Sequence, residues 1–245
     1  MMIYEGLSVD IDNKGIHMSC FIEEIEVLRD GKLKLFNARL LPNIDTEKII
    51  GVRIPSLRSL AKKLFKEVPH KISTFLEDVP HFYLEENLLH SFLLEQIEYE
   101  DELLRKVEDF LPFIDNWMVC DTLSPKIFKK KPKNLLPKIE LWLTSTHTYT
   151  VRFAINLILK FFLTNELFES KYLERVANIK SEEYYINMMI AWFFAEALFK
   201  QKEATLPFIK EKRLSNWVHN KAIQKARESR RIDDEFKAEL LKLKV

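Results

Sequence analysis

Glycine is scarce in this sequence, with four in 245 residues. So few leave little room for the tight turns, bulges and phosphate-cradling loops on which sheets and nucleotide folds depend. P-loop, GxGxxG and GxSxG motifs are missing, which removes the commonest nucleotide-binding and hydrolase readings. Cys20 and Cys120 stand alone, with no CxxC and no ligand-spaced histidine, so neither a disulfide framework nor a structural zinc is indicated and a reducing cytosol fits. His17, His70, His81, His90, His147 and His219 make no HExxH, and no metal and no cofactor are expected. No stretch reaches the roughly 18 uncharged apolar residues of a membrane span. The opening MMIYEGLSVDIDNKGIHMS has neither a basic n-region nor a long apolar segment. A soluble, unexported, cytoplasmic protein with no membrane partner is the expectation.

What is present is apolar and periodic. Hydrophobic residues make up 47% of the chain and aromatics 12%, enough to bury a substantial core without staples. From Cys20 onward apolar residues recur three and four apart, as in Phe21, Ile22, Ile25 and Leu28, in Leu57, Leu60, Ala61 and Leu64, and in Leu88, Leu89, Phe92 and Leu93. Prolines fall at segment starts rather than interiors, as at Pro55, Pro69 and Pro137, where the missing N–H would be unpaired anyway. Asp101, Asn116, Ser181, Ser215 and Asp233 are expected N-caps. About a dozen helices of roughly 10 to 18 residues, joined by loops of about 2 to 6, follow from this punctuation. Their pairing at a spacing of roughly 35 to 40 residues predicts an all-α, α-α superhelix of HEAT-like repeats, curved, with a concave basic face. A compact irregular helical bundle is the competing architecture. Residues 1–18 lack sustained periodicity and are read as a flexible N-terminal extension, leaving 19–245 as one helical-repeat domain, monomeric by default.

Net charge is only +1, but it is unevenly placed. Residues 1–30 are acidic, whereas Lys126, Lys129, Lys130, Lys131, Lys133 and Lys138 form a run without an intervening acid. Lys221, Lys225, Arg227, Arg230 and Arg231 form a second basic stretch, broken only by Glu228. Either run can be a solvated helix face, and either is compatible with phosphate contact.

Three segments carry candidate chemistry. In LPFIDNWMVCDTLSP, Trp117 and Asp121 are four residues apart, so an indole and a carboxylate share one helix face. The bland account is a core tryptophan and an exposed or capping acid. In TYTVRFAINLILKFFL, Arg152 interrupts an apolar helix near its start, where a cation gains nothing from the macrodipole. A partner carboxylate, a phosphate or snorkelling to solvent would each account for it. The third, EEYYINMMIAWFFAEALFK, is rich in aromatics, and Tyr185 and Trp192, seven apart, share a face distinct from much of the rest.

Together these segments resemble the AlkD-like DNA glycosylase family, the HEAT-like-repeat DNA alkylation repair proteins. GVRIPSLRSLAK, DNWMVCD, TVRFAIN, YYINMMIAW and NKAIQKARESRRI carry the resemblance, in this order, over nearly the whole chain after about residue 20. The resemblance implies that Asp121, Trp117 and Trp192 form the catalytic site, that Arg152 lies near the DNA backbone, and that the partner is double-stranded DNA containing alkylated bases. Lys221, Lys225, Arg227 and Arg230 are the further expected DNA-binding residues. Many members continue the third segment as Trp-x-x-Arg-Glu, whereas WFFAE puts Ala195 at the arginine position. The implied activity is release of 3-methyladenine- or 7-methylguanine-type purines, with the lesion kept largely in the stack. A non-catalytic helical-repeat module that binds DNA or protein is the rival, and a relative with shifted substrate a third possibility.

Overall fold

The computed structural model describes residues 19–245, so the expected extension over 1–18 lies outside the described residues. Among the described residues there are fifteen α-helices and no strand. In chain order they are α1 (Ile22–Glu26), α2 (Gly31–Leu40), α3 (Ile54–Glu67), α4 (Pro69–Glu77), α5 (Leu84–Leu94), α6 (Glu100–Phe110), α7 (Trp117–Thr122), α8 (Lys126–Lys130), α9 (Leu136–Leu143), α10 (Thr148–Leu157), α11 (Lys171–Ala177), α12 (Tyr184–Lys200), α13 (Lys202–Lys210), α14 (Asn216–Glu228) and α15 (Asp234–Lys242). They form two compact units, one ending at Ile127 and the other spanning Phe128–Val245. The all-α expectation is met, and no helix among the described residues is long and apolar enough to cross a membrane.

In the first unit α3 buries Leu57, Leu60, Ala61 and Leu64, the stripe expected from the sequence. It packs on α5, which is buried at every residue. A helix so enclosed must satisfy its own polar groups. Glu86 accepts from the Tyr83 amide at 2.8 Å, closing a capping box at the start of α5. Glu85 takes the amides of Ile50 and Gly51 at 2.8 Å and of Val52 at 3.3 Å, fixing the strap that leads into α3. Burial nevertheless pushes the Glu85 carboxyl above its ordinary value, with the three amides pulling the other way. The strap also meets α2: the Asp30 amide donates to the Gly51 carbonyl at 2.7 Å, and Arg53 pairs with Asp30 at 3.0 Å. Gly51 has φ +91°, and a Cβ there would sit 2.5 Å from both the Asp30 carbonyl oxygen and the Lys34 nitrogen. Deeper in the unit, His81 Nε2 and His90 Nδ1 are 2.9 Å apart. The pair is enclosed by Phe75, stacked on His81 at 4.4 Å, and Phe110, stacked on His90 at 3.8 Å.

In the second unit α10, α12 and α14 lie side by side and run parallel. Tyr149 meets Tyr185 and Tyr184 meets Trp217 at their N-terminal ends. Near their C-terminal ends Gln201 donates to the Leu163 carbonyl, and Arg231 reaches Glu196. These helices begin at 148, 184 and 216, that is 36 and 32 residues apart. Helices α9, α11 and α13 alternate with them, packed through Trp142 on Phe153, Tyr172 on Phe162 and Phe208 on Phe194. Ion pairs join one repeat to the next: Glu140 with Arg175, Glu174 with Arg213, and Glu196 with Arg231.

Local expectations fared unevenly. Asn116 and Asp233 cap as expected, accepting from the Val119 and Phe236 amides, and Ser215 holds a cap position without a side-chain bond. Asp101 lies inside α6, whose first turn Glu100 opens. Ser181 sits ahead of α12, receiving the Glu183 amide on its hydroxyl, so Glu183 is the cap residue. Pro207 lies inside α13, against the placement of prolines at segment starts. The shortest helices have five residues, below the expected range, because packing rather than propensity sustains them.

Gly51→Ala is expected to cost about 3 kcal/mol or more, since strain and backbone overlap act together. Gly31→Ala, where an added Cβ meets nothing within 4 Å, should leave the denaturant midpoint nearly unchanged. Burial lowers His81 to about 4 and takes His90 well below its ordinary 6.5. The unfolded chain therefore binds protons that the native pair refuses, so the pair leaves stability untouched above about pH 6.5 and removes it as pH falls toward 4, by up to about 1.4 kcal/mol per histidine per pH unit. Urea midpoints should drop on acidification in the wild type, and less so in His81→Gln/His90→Gln.

Candidate functional site

Helix α7 is one and a half turns long and is built from its cap. Asn116, fully buried, accepts from the Val119 amide at 3.0 Å and donates through Nδ2 to Asp115 Oδ1 at 2.8 Å. Asn43 holds the Asp115 carbonyl at 2.8 Å. Val119 and Cys120 point into the core, and α7 packs on α5. Trp117 and Asp121, four residues apart, take the other side and are both half-buried. The Trp117 indole N–H donates to the Leu40 carbonyl at 3.3 Å, so the end of α2 sets the ring's orientation. That end exposes Phe36 and Leu40, with Arg39 over the Phe36 ring at 6.0 Å. Asp121 occupies the next-to-last position of α7, the negative end of the helix, where a carboxylate gains nothing from the backbone dipole. The first unit thus brings together the tryptophan and the acid singled out from sequence.

The other expected residues lie in the second unit. Arg152 is 4% exposed, in the second turn of α10, and its Nη1 donates to the Tyr185 carbonyl at 2.8 Å. It therefore braces α10 against α12 through a backbone carbonyl, a partner outside the carboxylate, phosphate and solvent that the sequence suggests. Trp192 is 43% exposed although Ala191, Phe193 and Phe194 around it are fully buried. Lys221 donates to Gln224 at 2.9 Å, and Lys225 pairs with Glu228 at 2.9 Å. These two lysines lie one turn apart on α14, while Arg227 and Arg230 are exposed.

Sequence reasoning passed over a row of rings at the N-terminal ends of the parallel helices. Centroid separations are 6.2 Å for His147 to Tyr149, 5.7 Å for Tyr149 to Tyr185, 5.2 Å for Tyr185 to Tyr184 and 5.8 Å for Tyr184 to Trp217. Lys221 Nζ ends the row, 5.6 Å from the centre of the Trp217 ring. Tyr184 and Trp217 are exposed, which is uncommon for adjacent large aromatics on a helical surface. The available signal was Trp217 one turn ahead of Lys221, which reads as aromatic and basic on one face.

Chemically, the first unit offers a carboxylate beside an oriented indole, and the second offers exposed π-faces with cations close by. Among the described residues no three His, Cys, Asp or Glu side chains gather as metal ligands. A 370 Å³ cleft in the first unit, bordered by Phe65, Ile72, Leu76, Ile97 and Tyr99, includes neither Trp117 nor Asp121. A comparison with curated proteins finds no match. The family model described as DNA alkylation repair enzyme matches residues 22–226, a span that takes in Trp117, Asp121, Arg152, Trp192 and the lysines of α14. By that match the chain belongs to the DNA alkylation repair enzyme family.

Proposed function

We propose that this protein is a DNA glycosylase that hydrolyses the N-glycosidic bond of alkylated, positively charged purines, of the 3-methyladenine and 7-methylguanine type, in duplex DNA. The observation that carries the reading is Asp121 on one face of α7 with Trp117, whose indole is held by the Leu40 carbonyl, in a chain of a DNA alkylation repair family.

Alkylation at N3 or N7 places positive charge on the base and makes it a good leaving group without protonation. The C1′–N bond breaks with its electron pair going to the base, which departs neutral. Water adds to C1′ and loses its proton to solvent, leaving an abasic site. As the bond stretches the sugar becomes oxocarbenium-like, and the Asp121 carboxylate stabilises that charge and holds the water. A unit-charge pair about 4 Å apart at an effective dielectric of about 20 interacts by about 4 kcal/mol. Half of that as differential stabilisation gives a rate effect on the order of tens-fold. Trp117 adds an aromatic face toward the cation, worth about 1 to 2 kcal/mol where water is excluded. Arg152, Lys221, Lys225, Arg227 and Arg230 supply positive charge toward the strand. No step calls for a metal. Neutral lesions such as uracil are poor substrates because their leaving group is poor.

Methylated duplex incubated with wild type should yield free 7-methylguanine and 3-methyladenine by chromatography, and Asp121→Asn should slow release by tens-fold. Absence of release by wild type at every salt concentration would overturn the reading, and undiminished release by the variant would move the chemistry away from Asp121. Arg152→Ala is expected to weaken duplex binding and to lower the slope of log K against log salt by about one. An unchanged slope with a lower melting temperature would confine Arg152 to bracing α10 against α12.

A further inference from the structure

Trp192, Glu196 and Phe199 follow one another at steps of four and three residues and so share one face of α12. Trp192 and Phe199 are exposed, continuing toward the C-terminal end of α12 the open stripe that starts at Tyr184, while Glu196 between them is buried. Arg231, in the turn between α14 and α15, reaches onto that face. Its Nη1 donates to Glu196 Oε1 at 2.9 Å and its Nη2 to Oε2, while the guanidinium carbon lies 4.5 Å from the centre of the Phe199 ring. Lys200 Nζ lies 3.2 Å from Glu196 Oε1. One carboxylate thus gathers two cations, and the cluster keeps a net positive charge.

A guanidinium has five N–H donors, and the clamp by Glu196 uses two of them. The remaining three, Nε–H included, meet no protein acceptor among the described residues, and the Arg231 side chain is 53% exposed. The open edge pairs Nε–H with one Nη–H, the geometry that takes two oxygens of a phosphate side-on. Glu196 holds the group from the adjoining end-on edge and Phe199 supports its plane, so little rotamer freedom is left to lose on binding. A brace between the turn and α12 would need the clamped edge only.

We propose that Arg231 grips a backbone phosphate of DNA beside Trp192, preorganised by Glu196 and Phe199. This rests on the glycosylase reading for the identity of its ligand. As a DNA contact it lies apart from the reacting atoms, and Glu196 acts through it as a positioning residue.

Binding of undamaged duplex, followed by fluorescence anisotropy over a range of salt, tests the proposal. Arg231→Ala is expected to weaken binding about tenfold and to lower the slope of log K against log salt by about one. Because that change leaves Glu196 without its clamp, Glu196→Ala/Arg231→Ala is compared with Glu196→Ala and should show the same loss, with thermal melts reporting the fold. Unchanged slopes in both comparisons, with only the melting temperature lowered, would overturn the proposal and leave Arg231 a brace. A wild type that binds no duplex would overturn it together with the glycosylase reading. Binding with the expected slope change but no release of methylated base would leave Arg231 standing and remove the chemistry alone.

Discussion

The Glu85 carboxylate, buried and holding three consecutive amides, is the interaction on which the first unit's candidate site depends. Its chemistry is local and its reach is long. By fixing the strap from Ile50 to Val52 it places the Gly51 carbonyl that receives the Asp30 amide, and so the first turn of α2. The far end of α2 presents the Leu40 carbonyl to the Trp117 indole. An ionised group in the interior is costly unless every oxygen is satisfied, and Glu85 meets that condition with backbone alone. The tryptophan beside Asp121 is thereby oriented by a chain of backbone contacts that begins at a residue with no part in the chemistry.

The second unit solves a different problem. Helix α12 is apolar around most of its circumference, so it needs neighbours on nearly every side and finds them in α10, α11, α13 and α14. What is left open is narrow, and the large apolar residues along it, Tyr184, Trp192 and Phe199, are therefore conspicuous. Ala195 supplies no charge on this helix. The cations beside Glu196 are Lys200, at the end of the same helix, and Arg231 from the following repeat.

Much of this was legible in the sequence, for identifiable reasons. The stripe of α3 is visible because burial imposes a period, and of the two repeat spacings 36 falls in the expected range while 32 is shorter. Trp117 and Asp121 were visible because four-residue spacing fixes a shared face. Arg152 was singled out as an anomaly in an apolar helix, but its Tyr185 carbonyl partner lies 33 residues away and leaves no local mark. The role of Glu85 was invisible for the same reason, since its amide partners are 33 to 35 residues upstream. Asp101 and Ser181 were misjudged as caps because several polar residues precede each helix, and only the backbone dihedrals decide which one turns the chain. Arg231 stands in the sequence as one member of a basic run, and its partner Glu196 lies 35 residues upstream.

The arginine ion pairs between repeats of the second unit have a direction. In all three the carboxylate belongs to the earlier repeat and the arginine to the later one, Glu140 with Arg175, Glu174 with Arg213 and Glu196 with Arg231, while Lys210 of α13 and Glu239 of α15 pair in the reverse order. During synthesis each of these three carboxylates emerges before the arginine that pairs with it. A chain cut short before Ser229 would lack Arg231 and leave Glu196 with Lys200 as its remaining cation.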